Sequence, residues 1–195
     1  MCLRKDIIIM DALNQFELQI LLFIREYLTN PFLDFIMPKI TFLADDGWFW
    51  IVLAIVCLIF PKTRKTGAVM GLALIMGLIL CNLTLKPLVA RIRPYDLMPT
   101  INVLVEHLSD FSFPSGHTVA SFEGALAIAL TQKKRFGIPA IVLSSVIAFS
   151  RLYLFVHYPT DVLVGVVLGT GFGFLAKLVV DKCIDAYKRK KSKKV

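Results

Sequence analysis

Charge is scarce in this chain: Asp, Glu, Lys and Arg make up 18% of its 195 residues, against about 25% in soluble domains. Hydrophobic residues reach 57%, so the low-hydrophobicity signature of a disordered chain is absent. Eleven glycines and nine prolines are too few for a collagen-like repeat. Cysteine is thin as well. Cys2, Cys57, Cys81 and Cys183 are scattered without paired spacing, and two of them lie inside apolar runs. That excludes a disulfide scaffold and leaves a C-x-x-C zinc or redox site without support. No secretory signal peptide is expected: MCLRKDIIIM is basic, but the apolar run before Asp11 is only four residues long and no small-residue cleavage site follows. What remains is an apolar chain with a net charge of +8. Its length suits one domain or two small ones, and the combination indicates a polytopic membrane protein with basic loops.

A bilayer core about 30 Å thick takes roughly 20 helical residues to cross. Gly67 to Leu85 runs nineteen residues without a charge. Trp48 to Phe60 opens with Trp48 and Trp50, an aromatic pair suited to the water–lipid interface. It is expected to continue into Pro61–Thr66. Further spans are expected at about Thr118 to Gln132, interrupted by Glu123, at Gly137 to Val156, and at Val162 to Val180. The small residues Gly165, Gly169, Gly171 and Gly173 in the last would let a neighbouring helix approach closely. Residues 11–46 are apolar but interrupted by Glu17, Arg25, Glu26, Asp34 and Lys39, with Asn30-Pro31 between. Two amphipathic surface helices, at roughly 12–28 and 31–43, are therefore expected, because charges at mid-bilayer cost about 2.5–3.5 kcal/mol each. A sixth, imperfect span is the alternative. The expected fold is thus all-α: about five transmembrane helices preceded by amphipathic surface helices. It divides into N-terminal interfacial helices at 1–46, a transmembrane catalytic domain at 47–180 and a basic tail at 181–195.

Basic residues set the orientation. Lys62, Arg64 and Lys65 follow the first span, Lys133, Lys134 and Arg135 the third, and Lys182, Lys188, Arg189, Lys190, Lys191, Lys193 and Lys194 the last. All fall on one side of a five-span arrangement, which the positive-inside rule makes cytoplasmic. The tail reads as a topology anchor rather than a nucleic-acid site. Lys86–His117 and Arg151–Asp161 then share the extracytoplasmic face.

Those two segments concentrate polar chemistry. Lys86, Arg93 and Arg151 stand at the ends of hydrophobic helices, and arginine forks match phosphate oxygens bidentately. Pro114-Ser115-Gly116 at a helix start offers backbone N–H groups and the positive end of the helix dipole, an anion-binding construction. His157 and Asp161 are spaced i, i+4, so a helical segment would place them on one face, although Pro159 interrupts. The carboxylate would hold one ring nitrogen as N–H and leave the other as a lone pair aimed at an electrophile. His117, on another helix start, is free to protonate a leaving oxygen. The set describes a phosphoryl-transfer site. No cofactor and no metal are expected, since carboxylates are few and the cations fill the role of Mg²⁺. Singly, Lys86 and Arg93 would read as interfacial snorkelers, Pro-Ser-Gly-His as a helix cap, and Asp161 as the cap of the last helix.

In this order, Lys86–Arg93-Pro94, Pro114-Ser115-Gly116-His117 and Ser150-Arg151–His157–Asp161 resemble the K-x6-R-P, P-S-G-H and S-R-x5-H-x3-D motifs of the type 2 phosphatidic acid phosphatase (PAP2) superfamily. The resemblance covers roughly Trp48 to Val180. It implies a helical fold shared with bacterial lipid phosphatases and vanadate-dependent haloperoxidases, and a metal-independent reaction through a phosphohistidine. In that reaction His157 attacks phosphorus, Asp161 orients it and His117 protonates the leaving group. Lys86, Arg93, Arg151 and the Ser115/Gly116 backbone would hold the phosphoryl oxygens. Larger bacterial relatives have six spans, so residues 11–46 would correspond to the surface helices that follow their first.

The implied partners are a lipid phosphate and the bilayer, with no nucleic acid and no oligomeric state specified. Undecaprenyl diphosphate is the first choice of substrate, because recycling that carrier requires an outward-facing site. A broad-specificity phosphatidylglycerol phosphate or phosphatidate phosphatase is the alternative. A lipid phosphotransferase, or a non-catalytic lipid-phosphate binder or transporter, is a further one. Glu123 lies six residues past His117, about 9 Å deeper on a helix, and intramembrane carboxylates are functional candidates by default. Tyr95 and Asp96, directly after Arg93-Pro94, are candidate substrate-lining residues with it.

Overall fold

The computed structural model describes residues 2–192, with side chains from Ala12 onward. Lys193 and Lys194 of the basic tail, and the Cys2 side chain, lie outside the described residues. Every regular element among the described residues is helical: α1 (Cys2–Leu28), α2 (Pro31–Phe42), α3 (Trp48–Ile59), α4 (Arg64–Gly77), α5 (Lys86–Val89), α6 (Pro94–Leu97), α7 (Gly116–Thr131), α8 (Lys134–Tyr153) and α9 (Pro159–Ser192). A 3₁₀ turn, Asp45–Gly47, joins α2 to α3. A π-helical segment, Leu78–Leu85, joins α4 to α5.

Helix α7 is the axis of the bundle, packed by α9, α8 and α4, with α3 completing the wall beside α4. The close approaches rest on glycine. A Cβ on Gly169 would stand 2.5 Å from the Val119 carbonyl oxygen, and one on Gly165 2.9 Å from Thr118. Gly173 meets Leu126 in the same way, whereas Gly171 has nothing within 4 Å. Three of the four glycines in this helix therefore seat it against α7, and Gly171 faces away. On the other side of α7, Gly124 lies flat against the Trp50 ring, whose Nε1–H donates to Ser121 Oγ at 3.2 Å.

The expected spans correspond to α3, α4 with its π extension, α7, α8 and α9. Arg64–Leu97, Lys134–Tyr153 and Pro159–Ser192 are each long and apolar enough to cross a membrane, and α2 with α3, bent by 43°, form a fourth candidate together. Helix α7 has 16 residues, about 24 Å. The expected continuation of α3 into Pro61–Thr66 is not seen. Pro61 disfavours helical backbone at the residue before it; Phe60 is extended at φ −86°, ψ 124°, and α4 starts only at Arg64. The apolar side chains Leu83, Leu163, Val167 and Leu178 point outward, as a lipid-facing surface requires.

Residues 12–42 form two helices rather than one span. Asn30 breaks them: its Oδ1 accepts the Leu33 N–H at 3.0 Å, and Pro31 occupies the first helical position. Both pack against the α8–α9 end of the bundle, where Leu21, Ile24 and Met37 form one core with Tyr153, Leu154, Phe155, Val156 and Tyr158.

The bundle has two chemically distinct ends. At one, Lys65 pairs with Asp181 at 2.5 Å, and Thr66 bonds Thr131 at 2.8 Å and Gln132 at 2.6 Å. These contacts gather the α3–α4 loop, the α7–α8 loop and the end of α9, with most of the basic residues. The opposite end collects Lys86, Arg93, His117, Arg151, His157 and Asp161.

The glycine seats are testable by thermal unfolding in detergent. Gly169→Ala overpacks a backbone contact and should cost about 1–3 kcal/mol, lowering Tm by several degrees. Gly171→Ala should leave Tm unchanged or raise it slightly, because alanine favours a helix interior by about 1 kcal/mol over glycine. Equal effects would contradict the assignment of the packed face.

Candidate active site

The α8–α9 turn places His157. Helix α8 ends at Tyr153, and Phe155 takes a left-handed backbone at φ +61°. Pro159 then opens α9, so His157 precedes the helix and Asp161 sits in its first turn. The i, i+4 pair meets across this turn rather than along a helix. His157 Nδ1 lies 3.6 Å from Asp161 Oδ2, too far for a direct hydrogen bond. Ser112 Oγ fills the junction, donating to Asp161 Oδ2 at 2.5 Å and standing 3.5 Å from His157 Nδ1. Asp161 Oδ2 also accepts the Tyr158 N–H at 2.9 Å. On the other edge of the ring, Nε2 is 3.3 Å from Arg93 NH1. Burial, and then the positive fields of Arg93, Arg151 and Lys86, hold the His157 pKa well below the usual histidine value. The ring is neutral at pH 7, with a lone pair available.

Three cations surround that ring. Arg93 is locked in place by NH1 to the Val156 carbonyl at 2.8 Å and Nε to the Asp110 carbonyl at 2.9 Å. Its NH2 and the buried Lys86 ammonium both pair with the Asp110 carboxylate. Burial opposes the charge on Asp110, but the hydrogen bonds and fields of Lys86 and Arg93 outweigh it and bring its pKa down to about 2. Asp110 thus occupies the anion seat, with its side chain 47% exposed. Arg151 is different. It is 1% exposed, NH1 donates to Thr41 Oγ1, and Nε and NH2 have no partner among the described residues. A buried guanidinium with two idle donors is poised for an anion that reaches it.

His117 opens α7, with Nε2 2.6 Å from Asp45 Oδ1. A Cβ on Gly116 would stand 3.2 Å from Asn82 Oδ1, so glycine lets α4's extension come close here. Ser115 departs from expectation. It is buried, its N–H donates to the Asp161 carbonyl at 3.2 Å, and its Oγ accepts from Thr118 Oγ1 at 2.9 Å. Its backbone donor is therefore engaged in joining α7 to α9 rather than free for a phosphoryl oxygen. Tyr95 is buried away from the cavity, where its hydroxyl donates to the Leu108 carbonyl and accepts the Leu108 N–H. Asp96 is exposed on α6. Neither lines the site; both serve or flank the 98–115 loop. Glu123 does line the cavity.

Sequence reasoning missed the residues behind the motif. Arg91 is buried and reaches Asp161 Oδ1 at 2.5 Å with NH1 and Glu17 Oε2 at 2.5 Å with NH2. It lies over the Tyr158 ring at 3.8 Å. Glu17 Oε1 also accepts the Thr160 N–H at 2.6 Å. The N-terminal helices thus reach the centre through Glu17, Thr41 and Asp45. The only available signals were a second arginine two residues before Arg93 and a carboxylate interrupting an apolar helix.

From Lys86 and Arg93 a cavity of about 660 Å³ runs between α3 and α4, walled by Ile51, Ile55 and Leu58 on one side and Leu74 and Leu78 on the other. A cationic head above an apolar slot fits an amphiphile with a phosphate end. Fold and site define a membrane-embedded phosphatase.

Comparison with known proteins gives the same class. Residues 67–185 match the PAP2 superfamily, and the chain belongs to that superfamily. It is 32% identical over 137 residues to the undecaprenyl-diphosphatase of Sulfolobus acidocaldarius, covering 69% of this chain and 66% of that protein. It is 34% identical over 149 residues to undecaprenyl-diphosphatase BcrC of Bacillus subtilis, covering 75% and 74%. Among solved structures it resembles a transmembrane PAP2-type phosphatidylglycerolphosphate phosphatase from Bacillus subtilis, with TM-score 0.72 and 30% identity over 88% of this chain and 87% of that one.

Asp110 gives a direct test. With a pKa near 2 it is ionised at any pH above about 3, and an incoming anion must displace it throughout the working range. Asp110→Asn should tighten inhibition by vanadate about 3–10-fold, roughly 0.7–1.4 kcal/mol, by the same factor at pH 5 and pH 8. Weaker inhibition in the variant would show that Asp110 organises the clamp instead of competing for it.

Proposed function

We propose that this protein hydrolyses a lipid phosphate or diphosphate through a phosphohistidine at His157. The observation that supports this most is the buried Arg151 guanidinium with two donors unmet, close enough to His157 for its field to act on the ring, while Lys86, Arg93 and His157 line the head of an apolar slot. The substrate's terminal phosphoryl group displaces Asp110 and takes its place between Lys86 and Arg93, and the unmet Arg151 N–H groups donate to its remaining oxygens. His157 Nε2 attacks phosphorus while Nδ1–H faces Ser112 and Asp161, which fix the tautomer and stabilise the charge that develops on the ring. The P–O bond to the leaving group breaks, and His117 gives that oxygen its proton. His117, now neutral, takes a proton from water as the water attacks the phosphohistidine. Inorganic phosphate leaves and both rings return to their starting forms. Lys86, Arg93 and Arg151 neutralise the developing charge by preorganised electrostatics, with no metal called for.

Undecaprenyl diphosphate is the first substrate proposed, supported by two relatives that are named for it. Its distal phosphate fits the cationic seat and its polyprenyl chain the slot between α3 and α4. The basic end of the bundle, held together by Lys65–Asp181, is assigned to the cytoplasm by the positive-inside rule. The site then opens at the extracytoplasmic face. A glycerolipid phosphate is the second reading, favoured by the polar Glu123 in the slot wall.

Phosphate release from undecaprenyl diphosphate by detergent-purified protein in EDTA tests the proposal. Wild type should turn over, undiminished by the chelator, and His157→Ala should lose activity by at least about 10³-fold while keeping its Tm. Wild-type rates in His157→Ala would remove the nucleophile, and dependence on added Mg²⁺ would contradict the cation clamp.

A further inference from the structure

The mechanism leaves one buried carboxyl unused. Glu123 is 1% exposed, on the α7 face that lines the slot. Its Oε1 has no hydrogen-bond partner, and it forms no ion pair among the described residues. Gly77 of α4 lies directly against it, where a Cβ would run into the carboxyl oxygen Oε1. Leaving a buried polar atom unmet costs about 1–3 kcal/mol, and leucine would have filled an apolar wall without that cost.

Depth says what could meet it. Glu123 stands six residues past His117, about 9 Å along α7, below the seat of the scissile phosphate. A polyprenyl diphosphate presents only hydrocarbon once its two phosphates are passed. A glycerolipid phosphate presents ester carbonyl oxygens within a few bonds of its phosphate, at the border between headgroup and chains. These are strong acceptors without charge. Without a counter-charge, an apolar wall favours the uncharged acid over the carboxylate, and a carboxylic acid has one O–H to donate.

On the phosphatase reading above, we propose that Glu123 is a specificity-determining residue that donates a hydrogen bond to an ester carbonyl of a glycerolipid phosphate. It gives the enzyme a second substrate class beside the polyprenyl diphosphate. Asn82 and Lys86 hold the phosphate end of the same slot, so a single cavity serves both lipids. They part company only at the depth of Glu123.

The test compares kcat/KM for phosphatidate and for undecaprenyl diphosphate in wild type, Glu123→Leu and Glu123→Gln. Each ratio is taken within one preparation, so a loss of folded fraction cancels. Glu123→Leu should lower the phosphatidate value about 3–10-fold, the worth of one hydrogen bond to a neutral acceptor. The value for undecaprenyl diphosphate should hold or rise. Glu123→Gln, which keeps an N–H donor, should retain the wild-type ratio within about twofold. An unchanged ratio in Glu123→Leu would overturn the proposal, whether both activities fall or neither does. So would a glutamine variant that behaves like leucine, since charge rather than donation would then be at work. Wild-type protein inactive on both lipids would overturn the phosphatase reading, and this inference with it.

Discussion

A guanidinium group buried beside a lipid-facing surface needs acceptors for its N–H groups, and this requirement organises the whole site. Three arginines are nearly inaccessible, Arg91, Arg93 and Arg151, and each is treated differently. Arg91 is neutralised on both sides, by Glu17 and Asp161. Arg93 is pinned by carbonyls and faces an exchangeable carboxylate, Asp110. Arg151 is left two donors short. Breaking a buried ion pair commonly costs 3–5 kcal/mol because the surviving charge is stranded, so a site of this kind is stable only while each cation has its own answer. The gradient from saturated to exchangeable to unmet runs from scaffold to the proposed substrate seat.

The N-terminal helices belong to this arrangement. Glu17 on α1 reaches Asp161 through Arg91, Thr41 on α2 meets Arg151, and Asp45 in the turn before α3 meets His117. These contacts span from 72 to 110 residues of sequence. Helices expected to lie along the membrane surface thus also form the second layer of the centre. Their outward faces keep Phe16, Phe23, Phe32 and Phe35 exposed, while Leu21, Ile24 and Met37 are buried on the same faces that carry Glu17 and Thr41 to the site.

The residues that cluster at the candidate site were legible because they sit in three short motifs with fixed spacing, and the apolar runs between those motifs mark the helices that bring them together. Gly165, Gly169 and Gly173 were readable as packing residues, since small side chains in an apolar helix have few other uses. Which glycine faced outward was not readable. Asp110, Ser112 and Asp45 gave no signal, for pairing across 17 to 72 residues leaves no periodicity in sequence. Tyr95 and Asp96 looked like site residues by adjacency to Arg93, yet Arg93 ends an irregular stretch, and the short helix after it turns Tyr95 toward Leu108. The Pro114-Ser115-Gly116 helix start reads as a source of free backbone donors; Asp161's carbonyl claims the one at Ser115.

The central claim is that His157 becomes phosphorylated within this cation seat. Brief incubation of purified protein with undecaprenyl diphosphate labelled in the distal phosphate, followed by alkaline quench and peptide mass spectrometry, tests it directly. A phosphoryl group on His157, stable in base, lost in acid and increased in His117→Ala when hydrolysis of the intermediate is slowed, is the predicted result. Steady turnover with no label on His157, or with label on another residue, would contradict the account.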